Sequence, residues 1–189
     1  MGGRVGFIGL GKMGGPMVRR LLANGYELCI RDVAEAALAP FRDHPGITIC
    51  ASPRHVAECA PVVLLSLPSR QALFDVALGP DGVAAAGPGR CVIDLSTSGV
   101  KASRAVAGEL KTRGSRFLDA PVSGGVPGAE KGTLSVMVAQ EVPALRPFGG
   151  RVQAIVDARN IFEPSLNNRS HYQLAQAPRL VKGGVNIRF

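Results

Sequence analysis

Val5-Gly6-Phe7-Ile8-Gly9-Leu10-Gly11-Lys12-Met13-Gly14-Gly15-Pro16-Met17 is the stretch whose reading decides the fold. An apolar run over residues 5–9 passes straight into G-x-G-x-x-G at Gly9, Gly11 and Gly14. Met13, Met17 and Leu21 then recur every fourth residue, the spacing of one helical face, and Gly25 closes that segment. A second apolar run, 28–31, ends at Asp32, 18 residues beyond Gly14. Strand, glycine turn, amphipathic helix, strand and carboxylate in this order form the context that a dinucleotide fingerprint needs. Gly9 permits the tight turn. Gly11 lets backbone approach a pyrophosphate, and Gly14 lets helix and strand pack closely. The helix start, with its free N–H groups, would hold the phosphates, so residues 9–14 (Leu10, Lys12 and Met13 included) are the cofactor-binding candidates.

Outward from this unit the same alternation continues. Short apolar runs occupy 47–50, 62–67, 91–95, 117–120 and 134–139. They are apolar almost throughout, as parallel strands covered on both faces should be. Ala102, Val106 and Leu110 mark another helical stripe closed by Gly114, and Ser52-Pro53 fits an N-cap followed by proline. The pattern predicts a right-handed, doubly wound α/β sheet of the Rossmann type over residues 1–148. Beyond Phe148 the alternation fails. Gly149-Gly150, Asn167-Asn168 and Gly183-Gly184 interrupt residues 149–189, which read as a poorly specified tail with a short helix around 172–177.

The chain's 189 residues amount to one domain, or one domain and a fragment. Apolar content of 46% with no G-x-y period excludes disordered and collagen-like classes. No apolar run reaches the roughly 18 residues of a membrane span. The net charge of +8 is scattered, with half of the excess in the last 50 residues, and no basic run reaches five. A solvated basic surface, or attraction to an anionic ligand, explains it better than nucleic-acid binding. Cys29, Cys50, Cys59 and Cys91 include no CxxC and read as buried free thiols in a reducing compartment. His44, His55 and His171 stand at no metal-ligand spacing, so no metal site is expected. The glycine loop begins within nine residues of Met1, leaving no room for a signal peptide, and a cytoplasmic location is expected.

Asp32 decides between cofactors. A carboxylate at the end of the second strand hydrogen-bonds ribose hydroxyls and repels a 2′-phosphate, so NAD is favoured, with NADP as the alternative through Arg31. The competing role for Asp32 is to cap the helix that follows. Further candidates sit where strands end: Leu67-Pro68-Ser69, Asp94-Leu95-Ser96-Thr97-Ser98 and Asp119-Ala120-Pro121-Val122-Ser123-Gly124-Gly125. Open α/β sheets bind ligands at that edge. Asp94 and Asp119 read as network carboxylates. The serine-glycine turn after Pro121, rich in N–H and hydroxyl donors, suits a carboxylate.

Residues 6–14 with Pro16-Met17, and residues 119–126 followed by Gly128-Ala129 and Gly132-Thr133-Leu134, resemble the two signatures of the β-hydroxyacid dehydrogenase family. This is the 3-hydroxyisobutyrate dehydrogenase and tartronate semialdehyde reductase group, whose cofactor domain is of the 6-phosphogluconate dehydrogenase type. The resemblance runs from Arg4 to about Val138. It implies that Leu67, Pro68 and Thr97 line the nicotinamide end, and that Ser123, Gly124 and Gly125 hold a substrate carboxylate. It implies a hydride transfer between the nicotinamide and a small 3-hydroxy acid, with a homo-oligomer as a further expectation.

The departures from the family pattern matter as well. Where the family continues from Met137-Val138 into two glycines, Ala139-Gln140 stand here. The family's G-x-G-x-x-x-K-x-x-x-N helix, whose lysine moves the hydroxyl proton, and its helical domain are missing from these 189 residues. Lys182 precedes Asn186 by four, yet it lacks the G-x-G and is followed by two glycines, so it is only a weak catalytic candidate. The expectation is a truncated chain that binds NAD and turns over weakly or not at all. Two alternatives are a non-catalytic dinucleotide-binding module and an imine reductase on the same fold. The 119–125 loop, suited to a carboxylate, argues against the second.

Overall fold

The computed structural model describes residues 3–141, 151–159 and 181–188, and the side-chain surroundings of residues 3–138. Six strands form one sheet: β1 (Arg4–Ile8), β2 (Glu27–Arg31), β3 (Ile47–Ile49), β4 (Val62–Leu65), β5 (Cys91–Asp94) and β6 (Arg116–Asp119). Their order is β3-β2-β1-β4-β5-β6, every neighbouring pair parallel. Parallel neighbours need crossovers, and helices supply them: α1 (Gly14–Ala23), α2 (Glu35–Leu38), α3 (Pro53–Cys59), α4 (Arg70–Leu78) and α5 (Val100–Thr112). This is the doubly wound Rossmann architecture expected from the alternation of apolar runs and helical stripes.

The alternation of side chains along each strand divides the core in two. Phe7, Ile30 and Leu64 point to one face, where Met17, Val18 and Leu21 of α1 cover them. Ile8, Cys29, Val63 and Leu65 point to the other, under Val56 of α3, Leu73 of α4 and Val106 and Leu110 of α5. Burial on both faces is what makes these strands apolar without interruption.

The punctuation residues act as the sequence suggests. Gly25 takes a left-handed φ of +77° just past α1, and its N–H donates to the Leu22 carbonyl at 2.9 Å. Ser52 caps α3, its Oγ accepting from the His55 N–H at 3.2 Å with Pro53 in the first turn.

Two expectations need correction. The seventh apolar run does not join the parallel sheet. It forms β8 (Ser135–Glu141), antiparallel to the short β7 (Val122–Ser123), with α6 (Gly125–Lys131) between them. Nor is the region after Phe148 without strands. Here β9 (Arg151–Arg159) pairs with β8 and β10 (Val181–Arg188) pairs with β9, giving a second, antiparallel sheet in the order β10-β9-β8-β7. Gly183 and Gly184 fall inside β10, and glycine is depleted in strands, so composition conceals this one. The helix expected around 172–177 lies outside the described residues. No helix among the described residues is long and apolar enough to cross a membrane.

Candidate functional site

The chain reverses direction across the sheet between β1 and β4. From β1 one half winds outward through β2 and β3, the other through β4, β5 and β6. Loops leaving the carboxyl ends of adjacent strands diverge there and leave a crevice. A cavity of about 520 Å³ occupies it, with Gly11 and Lys12 on one wall, Arg31 and Asp32 at one end, and Leu67 and Pro68 at the other. A second cavity of about 290 Å³ adjoins it, sharing Met13, Ser66, Leu67 and Pro68 and extending to Thr97 and Val122.

The three fingerprint glycines are required for different reasons. Gly9 has φ +94°, and a Cβ there would lie 2.2 Å from the Ser66 carbonyl oxygen. A Cβ on Gly14 would lie 1.8 Å from the Gly9 carbonyl oxygen, so α1 meets the turn at backbone distance. At Gly11 a Cβ would meet nothing within 4 Å. Internal packing therefore places no demand on Gly11, and its bare backbone faces the larger cavity. A pyrophosphate approaching the N–H groups of this turn needs that space. Leu10 contributes differently: its side chain is buried in the core, and its backbone N–H is turned toward Asp32.

Asp32 ties the site together. One carboxylate oxygen accepts from the Leu10 N–H at 2.5 Å and the other from the Ala34 N–H at 2.8 Å. The carboxylate thus joins the glycine turn to the end of β2. It is not the cap of α2, a place taken by Ala34 with no side-chain bond. Each oxygen has a second lone pair, leaving capacity for a ribose hydroxyl. Beside it Val33 is 93% exposed and apolar, so no cation stands at that position for a 2′-phosphate, while Arg31 lines the same end.

A hydrogen-bonded chain that the sequence reading did not identify holds the opposite end. The Leu67 N–H donates to Ser96 Oγ at 2.8 Å. Asp94, fully buried, accepts from the Ser96 N–H at 3.0 Å and from Ser98 Oγ at 2.7 Å. Asp94 is therefore a network carboxylate that sets the loop on which Thr97 is carried into the smaller cavity. The D-x-S-x-S spacing was the available signal. Asp119 lies beside Asp94 in register on β6. Burial pushes the Asp119 carboxyl above the usual carboxylate range, and the neighbouring Asp94 adds to this. Ser103 works the other way, though its buried Oγ stands outside hydrogen-bonding geometry.

Among the substrate candidates, Val122 reaches the smaller cavity. Ser123, Gly124 and Gly125 follow it immediately and are exposed, beyond the cavity wall, with Gly124 at φ +130° and Gly125 at φ +60°. Lys182 is not brought to this place. It sits in β10, three strands from β7, a backbone separation of roughly 14 Å at the usual strand spacing.

Residues 4–163 match the family model described as the NAD binding domain of 6-phosphogluconate dehydrogenase, and the chain belongs to that family. Its Rossmann sheet, with the crevice just described, is therefore an NAD-binding domain. Among relatives, human mitochondrial 3-hydroxyisobutyrate dehydrogenase is 41% identical over 135 residues, which are 71% of this chain and 40% of that protein. An NAD-dependent L-serine dehydrogenase of Pseudomonas aeruginosa is 36% identical over 169 residues, 89% of this chain and 53% of that one. The solved 3-hydroxyisobutyrate dehydrogenase of Mycobacterium tuberculosis with L-serine superposes with a TM-score of 0.64 at 37% identity, covering 77% of this chain and 49% of its own. The chain spans about half or less of the length of the relatives it matches.

Proposed function

We propose that this chain forms the cofactor- and carboxylate-binding half of a hydroxyacid dehydrogenase that moves hydride between NAD and the hydroxyl-bearing carbon of a small 3-hydroxy acid. The observation that carries the reading is the pair of adjoining cavities. The larger runs from Asp32 past Gly11 to Leu67, and the smaller opens from that end toward Val122. An extended dinucleotide with its adenosine at Asp32 and its phosphates at residues 9–14 would bring its nicotinamide to Leu67, Pro68 and Thr97. Bound NAD supplies the hydride acceptor. The chain's own residues orient: Ser96 holds Leu67, and the donors of residues 123–125 take the carboxylate. Asp32 and Val33 favour NAD over NADP by about 1–3 kcal/mol, the worth of a hydrogen bond to a charged group.

Proton transfer is assigned to no residue of this chain. It has no G-x-G-x-x-x-K-x-x-x-N stretch, and Lys182 stands in β10, three strands from β7 and the cavity that Val122 lines. NAD should bind while 3-hydroxyisobutyrate, L-serine and glycerate are oxidised barely above background. Calorimetric titration with NAD and NADP, followed by steady-state assays of these acids against a cyclic imine, tests the reading. Tighter NADP binding would transfer control of the site to Arg31. Turnover of the imine alone would replace the hydroxyacid reading with that of an imine reductase.

A further inference from the structure

Three of the four cysteines converge at a point that the cofactor site does not use. Cys29 lies in β2, Cys50 immediately after β3, and Cys59 at the end of α3, and their sulfurs all lie within 4.8 Å of one another. Their separations in sequence, 21 and 9 residues, conceal the cluster, because a parallel sheet and a crossover helix create it. Cys29 and Cys50 are buried and Cys59 is half-buried, which opens one side of the cluster to solvent. All three are free thiols. They belong to the apolar cluster of Val56, Ala57 and Val63, and Arg4, whose charge bears on Cys29, is neutralised by Glu27 at 2.8 Å. Three sulfurs bound to one centre at about 2.3 Å each stand about 4.0 Å apart when planar and closer when pyramidal, so sulfurs up to 4.8 Å apart would draw together by about 1 Å to share one.

We propose that Cys29, Cys50 and Cys59 form a three-thiol binding site for a trivalent thiophilic metalloid of the arsenite class. Charge decides among thiophilic centres. Three thiolates around a monovalent soft cation carry two net negative charges, and around zinc one. Around a trivalent metalloid they carry none. Net charge in an apolar, desolvated pocket is costly. Cys29 and Cys50 are both buried, so net charge placed on them would be desolvated. The number of ligands agrees as well. Among the described residues no fourth Cys, His, Asp or Glu joins the group, whereas structural zinc sites take four. Binding is an exchange without redox change: three S–As bonds form, three As–OH bonds break, and each thiol proton leaves with hydroxide as water.

The site would also touch cofactor binding. Cys50 is followed by Ala51, Ser52 and Pro53, which line the Asp32 end of the larger cavity, so a bridge from Cys50 to Cys59 would fix the position of α3 there.

Native mass spectrometry of the full chain, reduced and titrated with arsenite, tests the proposal. The expected product gains one arsenic and loses three hydrogens. It should form unchanged in Cys91→Ser, and Cys59→Ser, at the half-buried position, should weaken it roughly 100-fold or more through loss of one arm of a multivalent grip. Circular dichroism of Cys59→Ser establishes that the variant is folded. A product that loses only two hydrogens, dependence on Cys91, or tighter zinc or copper(I) binding in competition would each overturn the assignment.

Discussion

Gly11 and Gly14 belong to one motif and should fail in opposite ways when substituted. In Gly14→Ala the new Cβ would start 1.8 Å from the Gly9 carbonyl oxygen, 2.9 Å from its carbon and 3.0 Å from Phe7 Cε1. Two of those three atoms are backbone, in a turn whose N–H is fixed to the Arg31 carbonyl at 3.0 Å. The turn cannot yield cheaply, and overpacking of this kind costs about 1–3 kcal/mol. Alanine's helix preference recovers little, because Gly14 is the first residue of α1. With about 2 kcal/mol lost, and about 2–4 °C per kcal/mol for a chain of this size, the midpoint should fall by about 4–8 °C. In Gly11→Val the side chain enters space that is empty for 4 Å. Stability should therefore stay within about 0.5 kcal/mol of the parent, while the phosphates lose their approach and NAD binding falls below detection. Thermal melts without ligand, together with calorimetric NAD titrations, measure both. If Gly14→Ala melts with the parent, or Gly11→Val binds NAD as the parent does, the division of roles between the two glycines is wrong.

The remaining predictions concern the carboxylates and the serine that hold the loops. Asp32→Ala should narrow the gap between NAD and NADP affinity, and should cost about 1–3 kcal/mol of stability through loss of the Leu10 and Ala34 bonds; paired titrations and urea unfolding read the two effects separately. Ser96→Ala leaves the Leu67 N–H without its partner, so it should lose about 1 kcal/mol in urea unfolding and weaken the binding of reduced cofactor, followed by fluorescence. Asp119 is held above its ordinary range, so the folded chain binds its proton more tightly than the unfolded chain does. Its contribution is present below the unfolded value near pH 4 and is lost as pH rises through the higher folded value. Asp119→Asn should accordingly raise the melting midpoint at pH 7 relative to the parent, with the gain shrinking below pH 4. Lys182→Ala should leave any measurable hydroxyacid turnover unchanged, and a loss of turnover in that variant would place Lys182 in the chemistry.

The parallel sheet was legible because its signals are local. All six of its strands announce themselves as apolar runs, and α1, α3 and α5 by spacing or caps at Gly25, Ser52 and Gly114. The antiparallel sheet was not, since β7 is two residues long and β10 carries two adjacent glycines. The glycine turn and Asp32 were legible as a motif. That Asp32 also bonds the Leu10 N–H was not, because the bond spans 22 residues and depends on β1 and β2 lying side by side. For the same reason the link from Ser96 to Leu67 escaped notice: it joins loops of adjacent strands 29 residues apart in sequence. The thiol cluster is the extreme case, three residues with no common motif placed together by two strands and a helix.

The central position of β1 has a consequence for how the chain acquires this structure. β1 precedes both of its partners in the chain, pairing on one side with β2 and on the other with β4, whose Val63 meets Gly6 from 57 positions further on. Until β4 arrives, one whole edge of an apolar strand has no partner, and parallel pairing of this kind brings its reward only after a long loop has closed. The half-made sheet β3-β2-β1 is thus the species at greatest risk of joining another chain by its open edge. Slow emergence of residues 47–65 would lengthen that exposure. Gly6 leaves room for the late partner: a Cβ there would meet Val56 at 2.6 Å and Val63 at 3.2 Å, so only the smallest side chain lets α3 and β4 close onto β1.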